Sequence, residues 1–141
     1  MGTSVSRATG VTELYKRGES FGIPGVRADG MDVFAMRKVA KEASDYVKKG
    51  KGPFLIEAKT YRYKGHSMSD PAKYRTRSEV QEVRENKDPI TNLKDFILKK
   101  KYLSEERLNE IDMSIKNTIK EVVKFAEESP FPNPDDLYKD I

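Results

Sequence analysis

The sequence predicts an α/β protein, with a βαβ unit of a parallel sheet followed by a helical carboxyl-terminal region. Two short strand-like segments enclose a stretch whose apolar residues recur at helical spacing, and the second half of the chain is dominated by the same helical periodicity. A strand, a helix of about 16 residues and a second strand form a right-handed crossover between parallel strands.

Residues 1–23 carry glycines among polar and charged side chains without a sustained apolar period, so we expect irregular structure there. The first strand is expected over residues 25–29, where apolar and polar side chains alternate before Gly30 interrupts them. The second strand is expected from Phe54 to about Tyr61. Because two strands alone do not make a stable sheet, other chains or further residues are expected to complete it.

The helix between the strands is expected to begin after Asp32, a favourable capping residue, and to end at Gly50. Its apolar positions follow the i, i+3, i+4, i+7 rule: Met36, Val39, Ala40, Ala43, Tyr46 and Val47.

Further along the chain, Ser78 with Gln81 predicts a capping box, and Asp88 followed by Pro89 predicts the start of a second helix. Ser104 is expected to begin the longest helix. That helix carries an apolar stripe for which core or interface packing is expected: Leu108, Ile111, Ile115, Ile119, Val122 and Phe125.

The longest helix is expected to stop at Ser129 and Pro130, and residues 131–136 are expected to be extended and set by prolines.

The composition excludes several classes of protein. The chain has 141 residues, no cysteine and one histidine, which rules out disulfides, thiolate nucleophiles, Cys-ligated zinc and His-rich metal sites within it. No apolar run approaches the roughly 20 residues of a membrane helix, and the first residues lack the layout of a signal peptide. We therefore expect no membrane partner.

Positive charge is concentrated in one loop. Residues 61–77 hold five basic side chains and one acidic one, whereas residues 78–141 hold 11 basic and 15 acidic ones. This stretch, called the cationic loop below, contains the only histidine and follows the carboxyl end of the second strand, where open α/β sheets bind ligands. Its basic residues are Arg62, Lys64, Lys73, Arg75 and Arg77.

Within the cationic loop, Gly65 lets the His66 imidazole approach a ligand closely, and the surrounding cations favour an anionic group such as a phosphate. Imidazole could donate a hydrogen bond to phosphate or carry a proton. The alternative is a solvated basic loop whose histidine packs on Tyr63 or Pro71. Ser67 and Ser69 could gain a phosphate beside these cations, or be ordinary loop serines.

Several long motifs in the same order resemble the alpha subunit of the pyruvate dehydrogenase first component, in the thiamin-diphosphate-dependent 2-oxo acid dehydrogenase family. The likeness extends over residues 1 to about 130 and matches the carboxyl-terminal portion of such subunits. The matching motifs are residues 1–8, 15–18, 23–32, 50–53, 61–71, 74–77, 82–84 and 88–90.

The resemblance implies a partial thiamin-diphosphate-binding fold. Residues 1–77 would be the carboxyl-terminal part of its α/β domain, including the active-site and regulatory loop 61–77, and residues 78–141 a helical region with an extended tail. It also implies oxidative decarboxylation of pyruvate, with transfer of the acetyl group to the lipoyl group of the second component, feeding acetyl-CoA formation.

The implied cofactors are thiamin diphosphate and Mg²⁺. The family's metal ligands are expected upstream of this chain, so no metal ligand is assigned within it. His66 matches the histidine that contacts the cofactor diphosphate, and it is the catalytic and cofactor-binding residue that the resemblance implies. Ser67 matches the serine phosphorylated in mitochondrial members, whereas their second regulatory serine is replaced around Lys73.

The implied partners are the beta subunit, in an α2β2 enzyme, and the lipoyl domain of dihydrolipoyl acetyltransferase. The compartment would be the cytoplasm in a bacterium, which is favoured, or the mitochondrial matrix in a eukaryote. The 141 residues alone are expected to be inactive.

Three alternatives stay open from the sequence. The first is the alpha subunit of a branched-chain 2-oxo acid or acetoin dehydrogenase, although residues 65–71 favour pyruvate because branched-chain relatives usually carry a second His and a Thr there. The second is a non-catalytic assembly or binding module. The third is a nucleic-acid binder, which the acidic final third and the confinement of cations to one loop disfavour.

Overall fold

A computed structural model of the chain describes residues 3–139, so the predictions for residues 1, 2, 140 and 141 lie outside it. The chain divides into two units, one ending at Asp95 and the other beginning at Phe96. The domain boundary expected after Arg77 stays a prediction, since it concerns the architecture of a larger family domain.

The predicted βαβ unit is confirmed. Strand β1 spans Gly25–Asp29 and strand β2 spans Leu55–Lys59, and the two pair in parallel, from Gly25 opposite Leu55 to Asp29 opposite Lys59. The prediction that β2 runs from Phe54 to Tyr61 was too long. The pairing stops at Lys59 because β1 ends opposite it at Asp29, and the Gly30 N–H closes the ladder on the Lys59 carbonyl at 2.7 Å.

Helix α2 spans Val33–Lys48, after a four-residue helix, α1, at Val5–Ala8. Asp32 caps α2 as predicted, because one carboxylate oxygen accepts hydrogen bonds from the backbone N–H groups of Phe34 at 2.8 Å and Ala35 at 3.1 Å. The chain turns at Gly50, whose φ of +70° favours glycine.

The apolar core of the described residues is small, since the buried hydrophobic residues are Ala28 on β1 and Val39 and Ala43 on α2. Of the predicted helix face, Met36 and Tyr46 are half-buried. Ala40 and Val47 belong to the same helical spacing, which the helix confirms, but they are exposed among the described residues.

The expectation of irregular structure over residues 1–23 was wrong, because this region contains α1 and a 3₁₀ helix at Leu14–Phe21. A half-buried ion pair holds the 3₁₀ helix against the sheet. Arg27 on β1 lies 3.2 Å from Glu57 on β2, and Glu57 accepts a hydrogen bond from the backbone N–H of Tyr15 at 3.1 Å. Arg27 also donates to the carbonyl of Thr12 at 2.8 Å.

Burial by itself would raise the pKa of Glu57, but the backbone N–H of Tyr15 and the Arg27 guanidinium outweigh it and hold that pKa below its ordinary value. The carboxylate is therefore ionised at neutral pH and anchors the 3₁₀ helix through charge-assisted hydrogen bonds.

Three longer helices follow the cationic loop: α3 at Arg77–Lys87, α4 at Pro89–Lys99 and α5 at Glu105–Glu128. The predicted capping box of Ser78 and Gln81 was wrong. The helix begins one residue before Ser78, and the Thr76 hydroxyl caps it by accepting from the backbone N–H of Glu79 at 3.1 Å.

The predicted caps of the other two helices are confirmed. Asp88 caps α4, and the Ser104 hydroxyl caps α5 by accepting from the Arg107 N–H at 3.3 Å. Helix α5 ends at Glu128 with Ser129 as its C-cap, so the predicted stop at Ser129 and Pro130 is confirmed. The tail is extended only as far as Asn133, which caps a 3₁₀ helix at Pro134–Tyr138, so the expectation of extended structure through residue 136 was wrong.

The apolar stripe of α5 stays largely exposed in the described chain; Ile115 is 57% and Phe125 74% exposed. Among residues 3–139, no helix combines the length and the apolar character that crossing a membrane requires.

We expect Gly25→Ala to lower the free energy of unfolding by about 1–3 kcal/mol. A Cβ at Gly25 would lie 2.6 Å from the carbonyl oxygen of Tyr15, so the sheet and the 3₁₀ helix would have to separate. Urea unfolding followed by circular dichroism measures the change. Gly10→Ala is the matched control, because a Cβ there meets nothing within 4 Å. Equal effects of the two substitutions would contradict the prediction.

Candidate functional site: the cationic loop

The cationic loop lies where the sequence predicts it, between the carboxyl end of β2 at Lys59 and the start of α3 at Arg77. It contains no regular secondary structure, so its shape depends on side-chain contacts rather than on a backbone ladder. Two side chains within it, Asp70 and Arg75, make most of those contacts.

Asp70 organises the segment around the histidine. Its carboxylate accepts hydrogen bonds from the backbone N–H of His66 at 2.7 Å, the backbone N–H of Ala72 at 2.8 Å and the hydroxyl of Tyr74 at 3.0 Å. The Asp70 N–H donates to the carbonyl of Ser67 at 3.2 Å, which closes the turn. The loop is therefore folded around one carboxylate.

These donors, the backbone N–H groups of His66 and Ala72 first, hold the pKa of the Asp70 carboxyl below its ordinary value. Gly65 is required for this arrangement, because a Cβ there would lie 2.9 Å from a carboxylate oxygen of Asp70. The glycine thus serves the close approach of the loop to its own aspartate.

Arg75 fixes the residues that precede the histidine. Its guanidinium donates to the carbonyl of Arg62 and, at 3.2 Å, to the carbonyl of Lys64. It also lies 5.1 Å from the ring centres of both Tyr61 and Tyr74, a cation–π distance. The Arg75 guanidinium is thus bound inside the loop. Of the five basic side chains counted from the sequence, this one stabilises the loop instead of being available to a ligand.

The remaining cations differ in availability. Arg62 donates to the carbonyl of His66 at 3.3 Å. The side chains of Lys64, Lys73 and Arg77 make no ion pair or hydrogen bond to the residues that the structure describes. These three remain able to attract an anion to the loop.

His66 and Ser67 are both exposed. The His66 backbone is held by Asp70 and Arg62, while its imidazole makes no hydrogen bond to any described residue. The Ser67 hydroxyl lies 3.0 Å from that of Ser69, and Met68 between them projects fully into solvent. A fixed backbone thus presents an accessible imidazole and an accessible hydroxyl side by side.

Sequence reasoning missed the hydrogen bonds of two tyrosines, Tyr61 and Tyr63. The Tyr61 hydroxyl donates to Glu79 at 2.8 Å, and the Tyr63 hydroxyl donates to Asp88 at 3.0 Å. The alternation of tyrosine and arginine over residues 61–63 indicates that the tyrosines share one side of the segment. It does not predict that their hydroxyls bind Glu79 and Asp88, which lie 18 and 25 residues further along the chain.

Within the described range, no group of three or more His, Asp or Glu side chains is placed to hold a metal ion. The loop itself presents an exposed histidine and three cationic side chains, Lys64, Lys73 and Arg77, without a partner among the described residues.

The chain belongs to the dehydrogenase E1 component family, whose sequence model matches residues 1–135. It is 51% identical over its whole length to the pyruvate dehydrogenase E1 component subunit alpha of Rickettsia bellii and 48% identical to that of Rhizobium meliloti. It is also 49% identical, over 97% of its length, to the somatic mitochondrial form of that subunit from Bos taurus. The chain spans 43%, 40% and 35% of the length of these three relatives.

We expect the backbone amide protons of His66 and Ala72 to report an Asp70 pKa below about 3.9, the ordinary aspartate value. Because this pKa is lower in the folded loop than in an unfolded chain, the carboxylate's stabilisation of the loop is fully present above the ordinary value. It is lost as the pH falls through the lowered one. Amide chemical shifts followed by NMR against pH give the midpoint.

Tyr74→Phe should raise that midpoint, since it removes one donor to Asp70, whereas Tyr138→Phe should leave it unchanged. An Asp70 midpoint at or above the ordinary value would show that the three hydrogen bonds do not favour the ionised carboxylate.

Proposed function

We propose that this chain acts as part of a pyruvate dehydrogenase alpha subunit, in an enzyme that oxidatively decarboxylates pyruvate and transfers the acetyl group to a lipoyl group. The observation that carries the proposal is its similarity, at about half of all positions and over 97–100% of its length, to relatives of that one name. Since the chain spans less than half of those relatives, the activity is proposed for the intact subunit. No observation favours the branched-chain, acetoin or non-catalytic alternatives.

The proposed cofactor is thiamin diphosphate, and the described residues fit its diphosphate. An accessible imidazole, a rigid backbone and three unpaired cationic side chains form the set of groups that binds such an anion. When bound, the cofactor supplies the nucleophilic carbon that cleaves the 2-oxo acid, and the protein supplies position and electrostatics. Ligands for the proposed Mg²⁺ would lie upstream of this chain in the intact subunit, as the family resemblance implies, and within residues 3–139 no group of three or more His, Asp or Glu side chains is placed to hold a metal ion.

In this proposal His66 is the catalytic and cofactor-binding residue, and a ring N–H donates a hydrogen bond to a diphosphate oxygen. The support is geometric: the backbone N–H of His66 is fixed by Asp70 at 2.7 Å and its carbonyl by Arg62 at 3.3 Å, while the ring is exposed. The backbone that carries the imidazole is thus ordered before a ligand arrives, so less backbone entropy is lost on binding, while the ring itself stays free to turn toward the ligand.

Ser67 is proposed as a regulatory position. A phosphate on its hydroxyl would carry close to two negative charges at neutral pH. It would lie beside the Ser69 hydroxyl, 3.0 Å from the unmodified oxygen, and within the turn that the Asp70 backbone N–H closes on the Ser67 carbonyl, near the Asp70 carboxylate that accepts the His66 N–H. Repulsion between phosphate and carboxylate would open the turn that holds the His66 backbone.

The proposed partners are the beta subunit, in an α2β2 enzyme, and the lipoyl domain of dihydrolipoyl acetyltransferase, which would approach the exposed loop around Met68. The proposed compartment is the bacterial cytoplasm or, in a eukaryote, the mitochondrial matrix.

The proposal is tested with the full-length alpha subunit that contains this sequence, assembled with its beta subunit and assayed for pyruvate decarboxylation with an artificial electron acceptor. We expect turnover of pyruvate in preference to branched-chain 2-oxo acids. His66→Ala should raise the thiamin diphosphate concentration for half-maximal activity by about tenfold, the loss of a charge-assisted hydrogen bond.

Met68→Ala is the control for His66→Ala, because that side chain is exposed and carries no polar hydrogen. Absence of turnover with any 2-oxo acid would favour the assembly-module reading. A branched-chain preference would favour the other dehydrogenases, and unaltered cofactor affinity in His66→Ala would remove the histidine from the site.

We expect Ser67→Glu to lower turnover by about tenfold, because it places an anion in the turn closed by Asp70. Ser67→Gln has the same size without the charge and is the matched control, so it should inhibit much less. The assay is the same pyruvate decarboxylation, with the loop's susceptibility to trypsin as a second measurement. Equal inhibition by both variants would mean that bulk, rather than charge, acts at this position.

A further inference from the structure

Two acidic side chains from outside the cationic loop hold the tyrosines that lead into it. Glu79, in the first turn of α3, accepts the Tyr61 hydroxyl, and Asp88, at the start of α4, accepts the Tyr63 hydroxyl. The segment that leaves β2 is thereby tethered to both helices, and Tyr63 is the tether nearer to His66.

Asp88 uses its two carboxylate oxygens for different purposes. One accepts the backbone N–H groups of Ile90 and Thr91 at 3.0 Å each and so caps α4, while the other accepts Tyr63 at 3.0 Å. The Arg84 guanidinium lies 5.2 Å from the centre of the Tyr63 ring. The junction between α3 and α4 therefore fixes both the ring and the hydroxyl of Tyr63.

The protonation states suit this contact. Burial first, and then the neighbouring Asp88 carboxylate, raise the pKa of Tyr63, so its hydroxyl remains a donor at neutral pH. The backbone N–H of Thr91 first, and then the Tyr63 hydroxyl, outweigh burial and lower the pKa of Asp88, so its carboxylate remains an acceptor.

The backbone of the two residues between Tyr63 and His66 has little freedom to move. The carbonyl of Lys64 is held by Arg75, and Gly65 has no room for a Cβ beside Asp70. A displacement of Tyr63 is therefore passed along the backbone to His66 rather than absorbed between them.

We propose that Asp88 is a positioning residue for His66, acting through the Tyr63 hydroxyl, so that the α3–α4 junction sets the anion affinity of the cationic loop. The inference rests on the proposed function, because the anion it concerns is the cofactor diphosphate. It adds to that function a residue outside the loop that affects cofactor binding. Capping α4 would not by itself require Asp88 to bind the Tyr63 hydroxyl.

Two variants break the tether from opposite ends. Tyr63→Phe removes the hydroxyl and keeps the ring, and Asp88→Ser keeps a good helix cap on a side chain too short to reach Tyr63. The matched control is Tyr102→Phe, whose hydroxyl has no hydrogen-bond partner among residues 3–139. All are made in the full-length subunit assembled with its beta subunit.

In the enzyme without cofactor, amide hydrogen exchange of residues 64–72 should accelerate about threefold to tenfold in both tether variants, the loss of one hydrogen bond to a charged group. The thiamin diphosphate concentration for half-maximal activity should rise by a similar factor, with a smaller change in kcat. The double variant should be no worse than the more affected single one, because both remove the same contact.

Unchanged loop exchange and cofactor affinity in Tyr63→Phe would overturn the inference, and so would full additivity in the double variant. If Asp88→Ser does not fold, Tyr63→Phe decides the matter alone. Failure of the proposed function is a separate result: a wild-type enzyme without pyruvate turnover would refute that function, while the exchange measurement would still decide whether the tether orders the loop.

Discussion

The parallel pairing of β1 with β2 is the constraint on which the placement of the candidate site depends. Both strands end at the same edge, because Asp29 lies opposite Lys59 and the Gly30 N–H closes the ladder there. The chain can leave that edge in only two ways: into α2 after the first strand and into the cationic loop after the second. The strand pairing alone therefore places the loop at the edge where α/β sheets bind ligands, independently of the contacts inside the loop.

Polar contacts carry much of the organisation in the described chain, since only three hydrophobic residues within it are buried. The Arg27–Glu57 pair secures the 3₁₀ helix, Asp70 folds the loop, and Asp88 joins the loop to α4. Hydrogen bonds to charged groups are directional, so these contacts specify geometry at the site more closely than a small apolar core does. The backbone of an exposed histidine can consequently be held in a fixed position.

Elements with a local signal were predictable from sequence. Strand β1 and the caps Asp32, Asp88 and Ser104 depend on side chains within a few residues of the backbone groups they serve, and all were correct. The 3₁₀ helix at Leu14–Phe21 was missed because its anchor, Glu57, lies 42 residues beyond Tyr15 in the sequence. The tail helix did have a local signal, the capping box at Asn133, which the emphasis on prolines obscured.

The position of the cationic loop after β2 was also predictable, whereas the contacts inside the loop were not, and the roles of His66 and Ser67 stay predictions. Charge counting treats every arginine as available, whereas the Arg75 guanidinium points inward to two carbonyl oxygens and two rings. Likewise, a tyrosine near a basic cluster predicts stacking, and only the fold reveals that Tyr63 reaches an aspartate 25 residues away.

The Arg27–Glu57 pair has a consequence for how the two strands find each other. These residues are direct cross-strand partners, and sliding β2 by one position would set Glu57 beside Val26 or Ala28. An alternation of small and apolar side chains discriminates weakly between such alignments in a short strand. A half-buried carboxylate without its guanidinium raises the free energy of the misaligned sheet. The pair would therefore favour the native register over shifted ones during folding.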